Sequence, residues 1–306
     1  MLAEVHNRAA EAVGSQCCSL RIGEMTLRLK ADSADDLILA PDLTKFRSEE
    51  INADCDLEIT IEWVSRLEKL SGPQLFDSGS LWKLYSESGG LVYDFSTPVL
   101  GNDSYKRLII DHTFSQARLL LNRSCLPDHA RVYPLEYPLD ELLVTNWLAR
   151  GRGVEVHGCG LVDRQAGAYL FLGHSGAGKS TTTRLWNAHR DVHVLSDDRI
   201  ILRQHGNALW MYGTPWHGEA GFAAPAKARV RRIFFLDHGS QNEISSLPTA
   251  HAAGELFARS FVPFHGPTLL EFTLSCLHRI AQLIPCYRYK FRPDGSAVGH
   301  ILNFYG

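Results

Sequence analysis

No stretch of the chain comes near the roughly 18 consecutive apolar residues that a membrane-spanning helix needs. Residues 1–15 are polar and Ala-rich, with no apolar signal-peptide core. Neither sign of charge dominates. The formal net charge of −3 gives no overall electrostatic case for nucleic acid or an anionic membrane as partner. The seven cysteines are an odd number and include no C-x-x-C spacing. That argues against a disulfide framework or a zinc site and fits a reduced, cytoplasmic setting. The 14 histidines are not clustered as metal ligands. Internal repeats and low-complexity tracts are absent. What remains is a 306-residue chain, 45 % hydrophobic and 21 % charged, the composition of a soluble globular protein of about two domains.

The chain is read as three parts: a poorly ordered N-terminus over 1–15, a β-rich domain over 16–137 and a catalytic domain over 138–306. In the β-rich part, short alternating runs such as Met25–Leu29 and Leu57–Trp63 predict strands. Leu81–Tyr85, Leu91–Phe95, Lys106–Asp111 and Ala117–Leu121 follow, with a hairpin turn at Ser88–Gly90. This half is therefore expected to be mainly antiparallel sheet. Pro134 and Pro138 mark a break, and Leu139, Leu142, Leu143 and Trp147 fall at helical spacing. From Val154 strands alternate with helices, the latter expected over Thr181–Ala188, Thr249–Phe261 and Pro267–Ile284. That pattern predicts an α/β domain.

The most informative stretch is Gly173-His174-Ser175-Gly176-Ala177-Gly178-Lys179-Ser180. Gly173, Gly178, Lys179 and Ser180 fill the phosphate-loop pattern G-x-x-x-x-G-K-[ST]. Glycines let backbone N–H groups curl around phosphate oxygens, and a following helix points its positive end at the same anion. Lys179 can reach the β- and γ-phosphates of ATP, and Ser180 can give an oxygen to Mg²⁺. Ser175, Gly176, Ala177 and Thr181 complete the nucleotide-binding set. The apolar strand Tyr169–Leu172 before the loop makes a mere Gly-rich turn the weaker alternative.

A second apolar strand, Val192–Leu195, delivers Asp197 and Asp198. One acid at such a strand end can serve Mg²⁺, and a second can take the proton of an attacking hydroxyl. Neighbouring side chains on a strand face opposite ways, so both serve one site only if the strand ends or bends there. An acidic turn without chemistry is the plainer alternative.

Together the loop and Asp197-Asp198-Arg199 resemble the catalytic domain of HPr kinase/phosphorylase, which shares its core with phosphoenolpyruvate carboxykinases. Upstream, His157-Gly158 with its apolar strand and Asp163 matches the same family. The resemblance covers roughly residues 150–235. It implies an ATP- and Mg²⁺-dependent serine kinase, with Asp197 as general base, Asp198 at the metal and His157 beside the reacting phosphate. The two Asp roles are exchangeable on sequence grounds. Family members form homo-oligomers, which is therefore an option here. Thr181 stands where the family usually has Glu. The stretch Pro215-Trp216-His217-Gly218-Glu219 instead resembles a broader bacterial group of HPr-kinase-like proteins, some of which phosphorylate peptide serines. His217 and Glu219 are thus candidate pocket residues, set against a packed turn with a buried Trp. Lys227, Arg229, Arg231 and Arg232 form a basic cluster that either meets phosphate or is a solvated strand edge.

The reading is a kinase for a serine of a peptide or small protein, docked on the β-rich domain. Its alternatives are a small-molecule kinase, for example for free serine, and a nucleotide-dependent regulator without transfer. A transport-type ATPase is disfavoured, because no Leu-Ser-Gly-Gly-Gln signature is present.

Overall fold

Alternating apolar and polar runs such as Met25–Leu29 and Leu57–Trp63 form strands. The computed structural model describes residues 16–49, 54–101, 103–126 and 132–304, with position 189 as backbone only. The disorder expected of residues 1–15 lies outside the described residues. The chain is a mixed α/β protein with two large, mostly antiparallel sheets.

The strands of the first sheet are β1 Gln16–Ile22, β2 Met25–Ala31, β3 Arg47–Ser48, β4 Leu57–Val64, β5 Gln74–Asp77, β6 Trp82–Glu87, β7 Gly90–Ser96, β8 Ser104–Ile110 and β9 Gln116–Asn122. They are ordered β3-β1-β2-β4-β9-β8-β7-β6-β5. On β4, Leu57, Ile59 and Ile61 are buried while Glu58 and Glu62 pair outward with Lys30 and Arg118. β4 runs parallel to both β2 and β9, which hydropathy alone cannot reveal.

By packing, the chain divides into two compact units. Among the described residues, the first holds 16–19, 27–38 and 54–134. The second holds 20–26 and 39–49, with the single-turn helix α1 Pro41–Thr44, together with everything from Leu135 onward.

The second unit opens with helix α2 Leu139–Leu148. Its strands are β10 Val154–Asp163, β11 Gly167–Leu172, β12 Val192–Ser196, β13 Arg199–His205, β14 Ala208–Gly213, β15 Lys227–His238, β16 Glu243–Ser246, β17 Ser260–Phe261 and β18 Cys286–Phe291. Its further helices are α3 Lys179–His189, α4 Thr249–Phe257, α5 Pro267–Leu283 and α6 Ser296–Leu302. Two long strands organise it. β10 pairs β13 and β17 over its first half and β11 and β12 over its second. β15 starts antiparallel to β14, then runs parallel to β11 and β18. The pairings β11–β10–β13–β14–β15–β11 thus close a circuit.

Alternation on β11 and β15 sends side chains to two cores. Leu170, Leu172, Ile233 and Phe235 pack with α4 and α5 through Leu256, Leu277 and Ile280. Tyr169, Phe171, Phe234 and Leu236 pack with α3 and α6 through Trp186, Val298 and Ile301. Phe171 stacks on Phe234 at 5.4 Å, an arrangement worth about 0.5–1.5 kcal/mol beyond the area it buries. The start of α3 is thereby fixed against the sheet directly below the loop 173–180. The helix expected over 249–261 ends at Phe257 instead. Ser260 and Phe261 leave it to pair with β10, because Phe261 has a cation to cover, described below.

Candidate functional site

The loop from Gly173 to Ser180 joins the end of β11 to the start of α3. Gly178 precedes the helix with φ +97°, and a Cβ there would lie 2.5 Å from the Phe291 ring. Both conditions require glycine. Lys179 is buried, and its ammonium donates to the carbonyls of Gly173 at 3.0 Å and His174 at 3.1 Å. Burial draws its pKa below the usual lysine value, while Asp198 works the other way. Thr183 Oγ1 donates back to the Lys179 carbonyl and lies 3.1 Å from Cys159 Sγ on β10, which ties the first turn of α3 to that strand.

Across from the loop, β12 ends at Ser196, and both aspartates lie in the bend that leads to β13. Ser196 Oγ accepts from the backbone N–H groups of Asp198 and Arg199, both at 3.3 Å. The strand does end there, yet the carboxylates still diverge. Asp197 is 1 % exposed and turns toward the following loop. It accepts backbone N–H bonds from Gly218 at 3.0 Å, Ala220 at 2.9 Å and Phe222 at 3.2 Å. Gly218 must be glycine for this approach, since a Cβ would sit 2.9 Å from Asp197 Oδ2. Asp197, expected as the base, takes these three bonds from 218–222 and is not among the residues that line the cleft. Of the two aspartates, Asp198, expected at the metal, is the one that borders it.

His157 stands directly across the strand pair from Arg199. Its Nδ1 lies 3.3 Å from Asp198 Oδ1 and 3.0 Å from a terminal nitrogen of Arg199. Arg199 also bonds Asp198 Oδ2 closely. Burial first, then Lys179 and Arg199, hold the His157 imidazole down to about 4, so it is neutral at pH 7. A guanidinium can only donate. In the neutral ring Nδ1 therefore accepts from Arg199, and Nε2 carries the proton. Asp198 Oδ1 consequently receives no bond from His157 and keeps a free acceptor position.

Arg199 is itself caged. Its Nε donates to Glu141 at 2.8 Å and lies 3.8 Å from Glu155, and its guanidinium covers the Phe261 ring at 4.3 Å. Such stacking contributes about 0.5–2 kcal/mol. Glu155 is fully buried, and its Oε1 accepts no hydrogen bond. Burial, and then Glu141, push its pKa well above the usual carboxyl value. A folded pKa raised in this way gives stability that is complete below the unfolded value and lost as pH rises through the folded one. Glu155→Gln removes that loss. Urea midpoints of the variant are expected to match wild type near about pH 4 and exceed it near about pH 9. An equal decline in both proteins would remove the buried acid as the cause.

His157, Ser175, Gly176, Gly178, Lys179, Ser180, Thr181, Asp198 and Glu219 thus border one cleft of about 450 Å³. Gly173 and Ala177 belong to the loop but not to the cleft wall. His217 lies elsewhere. It pairs with Asp42 at 3.2 Å in a second depression of about 360 Å³ that also contains Tyr137, Trp216, Asp198 and Arg199. Trp216 donates to the buried Asp140 at 2.9 Å, so it is part of the wall. Asp198 borders both spaces. None of the basic cluster lines this cleft: Lys227 pairs with Glu24, Arg231 with the Ala166 carbonyl and Arg232 with the Phe304 carbonyl. Among the described residues, no group of three or more His, Cys, Asp or Glu could hold a metal unaided.

Glu141, Glu155 and Phe261 were not singled out from sequence. The signal for Glu155 was an acid between Val154 and Val156 in a strand buried on both faces.

No family model matches the chain, and no curated protein matches it by sequence. Among solved structures it is weakly similar to the Hpr(Ser) kinase/phosphatase from Coxiella burnetii. That match has 15 % identity and a TM-score of 0.29, covering 50 % of this chain and 99 % of that one. A score this low does not place the chain in that family. Among the described residues, no helix is long and apolar enough to cross a membrane.

Proposed function

We propose that the protein is an ATP- and Mg²⁺-dependent phosphotransferase that moves the γ-phosphate to a serine hydroxyl of a peptide or small protein. The observation that carries this is convergence. Lys179 with Ser180, His157 and Asp198 come from three separate segments and share one cleft with a glycine loop at a helix start. The loop N–H groups and Lys179 hold the phosphates, and Lys179 releases the carbonyls of Gly173 and His174 to do so.

Mg²⁺ characteristically takes only one or two protein oxygens beside phosphates and water. A site with no complete metal cluster of its own fits that habit, and Ser180 and Glu219, which both border the cleft, would hold the ion. The ion would neutralise charge on the transferring group. The acceptor oxygen attacks the γ-phosphorus, the bond to the β–γ bridging oxygen breaks, and ADP leaves with that electron pair. Asp198 Oδ1 takes the hydroxyl proton. His157 Nε2–H donates to the phosphoryl oxygens, and Arg199 fixes both His157 and Asp198. The smaller depression, which Asp198 also borders, receives the acceptor. With the base assigned to Asp198, Asp197 becomes a positioning residue for the loop that carries Glu219.

The first test is nucleotide binding. Lys179→Met is expected to weaken binding of a fluorescent ATP analogue by about 10–100-fold, the loss of one or two charge-assisted bonds. Unchanged affinity in a folded variant would contradict a phosphate-holding role.

A further inference from the structure

Two stretches of the second unit each line more than one depression. Asp42 and Leu43 border the acceptor space, and the same stretch continues into Lys45, Phe46 and Arg47, which line a separate cavity of about 380 Å³. Pro215, Trp216 and His217 also border the acceptor space, and the Tyr212 and Gly213 just before them line that same cavity. The two spaces are therefore neighbours along both chain segments.

The cavity is strongly one-sided in charge. Arg21, Lys45, Arg47 and Lys227 line it, against the single acid Glu24. Glu24 is already committed, to Lys227 at 2.5 Å, Arg203 at 3.1 Å and His205 at 3.3 Å. Among the described residues, no acid pairs with Arg21, Lys45 or Arg47, whose side chains are exposed. This contrasts with the rest of a chain whose net charge is −3. Cations held without counter-charge beside a concave surface attract an anionic ligand and set its register. The aromatic residues there, Phe46 and Tyr212, are buried. They offer no platform for stacking bases, which argues against single-stranded nucleic acid.

We propose that this cavity binds an acidic stretch of peptide adjacent to the residue whose hydroxyl accepts the phosphate. The inference rests on the phosphotransfer reading for its register, but binding itself does not require transfer. An extended peptide seated with its serine at Asp198 reaches the cavity within a few residues, along the path of residues 42–47.

The test uses fluorescein-labelled peptides with a single serine flanked, on either side, by a run of glutamates or of glutamines. Anisotropy is read with the full-length wild type and with the double variant Lys45→Glu/Arg47→Glu, both exposed positions. The glutamate peptide is expected to bind wild type about tenfold or more tightly than the glutamine peptide, with strong salt dependence. The double variant is expected to lose that preference while its affinity for the fluorescent ATP analogue stays unchanged. Equal affinity of wild type for the two peptides would overturn the proposal. So would a preference that survives charge reversal, or stronger binding of a single-stranded oligonucleotide. Failure of the phosphotransfer reading would appear separately, as wild type that binds no nucleotide yet still prefers the glutamate peptide.

Discussion

Asp198→Asn is expected to lower phosphoryl transfer by about 10²–10⁴-fold with little change in stability or nucleotide affinity. The carboxylate borders the cleft and is partly exposed, so its loss leaves no buried group without a partner. Oδ2 is held by Arg199, and an Asn oxygen can occupy the same place. What disappears is the free acceptor at Oδ1, which the neutral His157 does not fill. An amide there cannot take a proton at neutral pH. The check is a transfer rate beside a thermal melt and a nucleotide titration. A variant that melts early would show that Asp198 acts through the fold.

Asp197→Asn should do the opposite. Three backbone N–H groups converge on this buried carboxylate, two on Oδ1 and one on Oδ2. An amide offers one oxygen and one NH₂, so whichever way it turns, a donor meets a donor. Hydrogen bonds to a buried charge are worth about 1.5–3 kcal/mol, and an unsatisfied buried group costs about 1–3 kcal/mol more. The expected loss is about 3 kcal/mol, a fall in Tm on the order of 6–12 °C. The loop carrying Glu219 should loosen with it, and amide exchange at Gly218, Ala220 and Phe222 reads that directly. A stable variant with unchanged exchange but no transfer would restore Asp197 as the chemical base.

The pair shows what the sequence could and could not disclose. Adjacent acids after an apolar strand were legible, as was the condition that the strand must end or bend for both to serve one site. It ends at Ser196, but the hydroxyl of that residue organises the turn so that the two side chains still diverge. No periodicity encodes that. The first-half strands were legible because one face of each is buried, as on β4. The parallel pairings of β4 were not, since register follows from long-range contacts. β5 passed unnoticed because Gln74–Asp77 is short and mostly exposed. β18 alternates as Cys-Tyr-Arg-Tyr-Lys-Phe and was readable in principle. The Arg199 cage joins residues from four elements, and only the fold brings Glu141 and Phe261 to it.

The most direct test of the central claim offers γ-labelled ATP and Mg²⁺ to wild type and Asp198→Asn. The acceptors are serine peptides with glutamate flanks, a lysate peptide fraction and free serine. Label reaching a peptide with wild type, and about 10²–10⁴-fold less with Asp198→Asn, is the predicted result. Label reaching free serine alone would make the acceptor a small molecule. Tight nucleotide binding with no label on any acceptor, or equal transfer by both proteins, would contradict a phosphotransfer site built around Asp198.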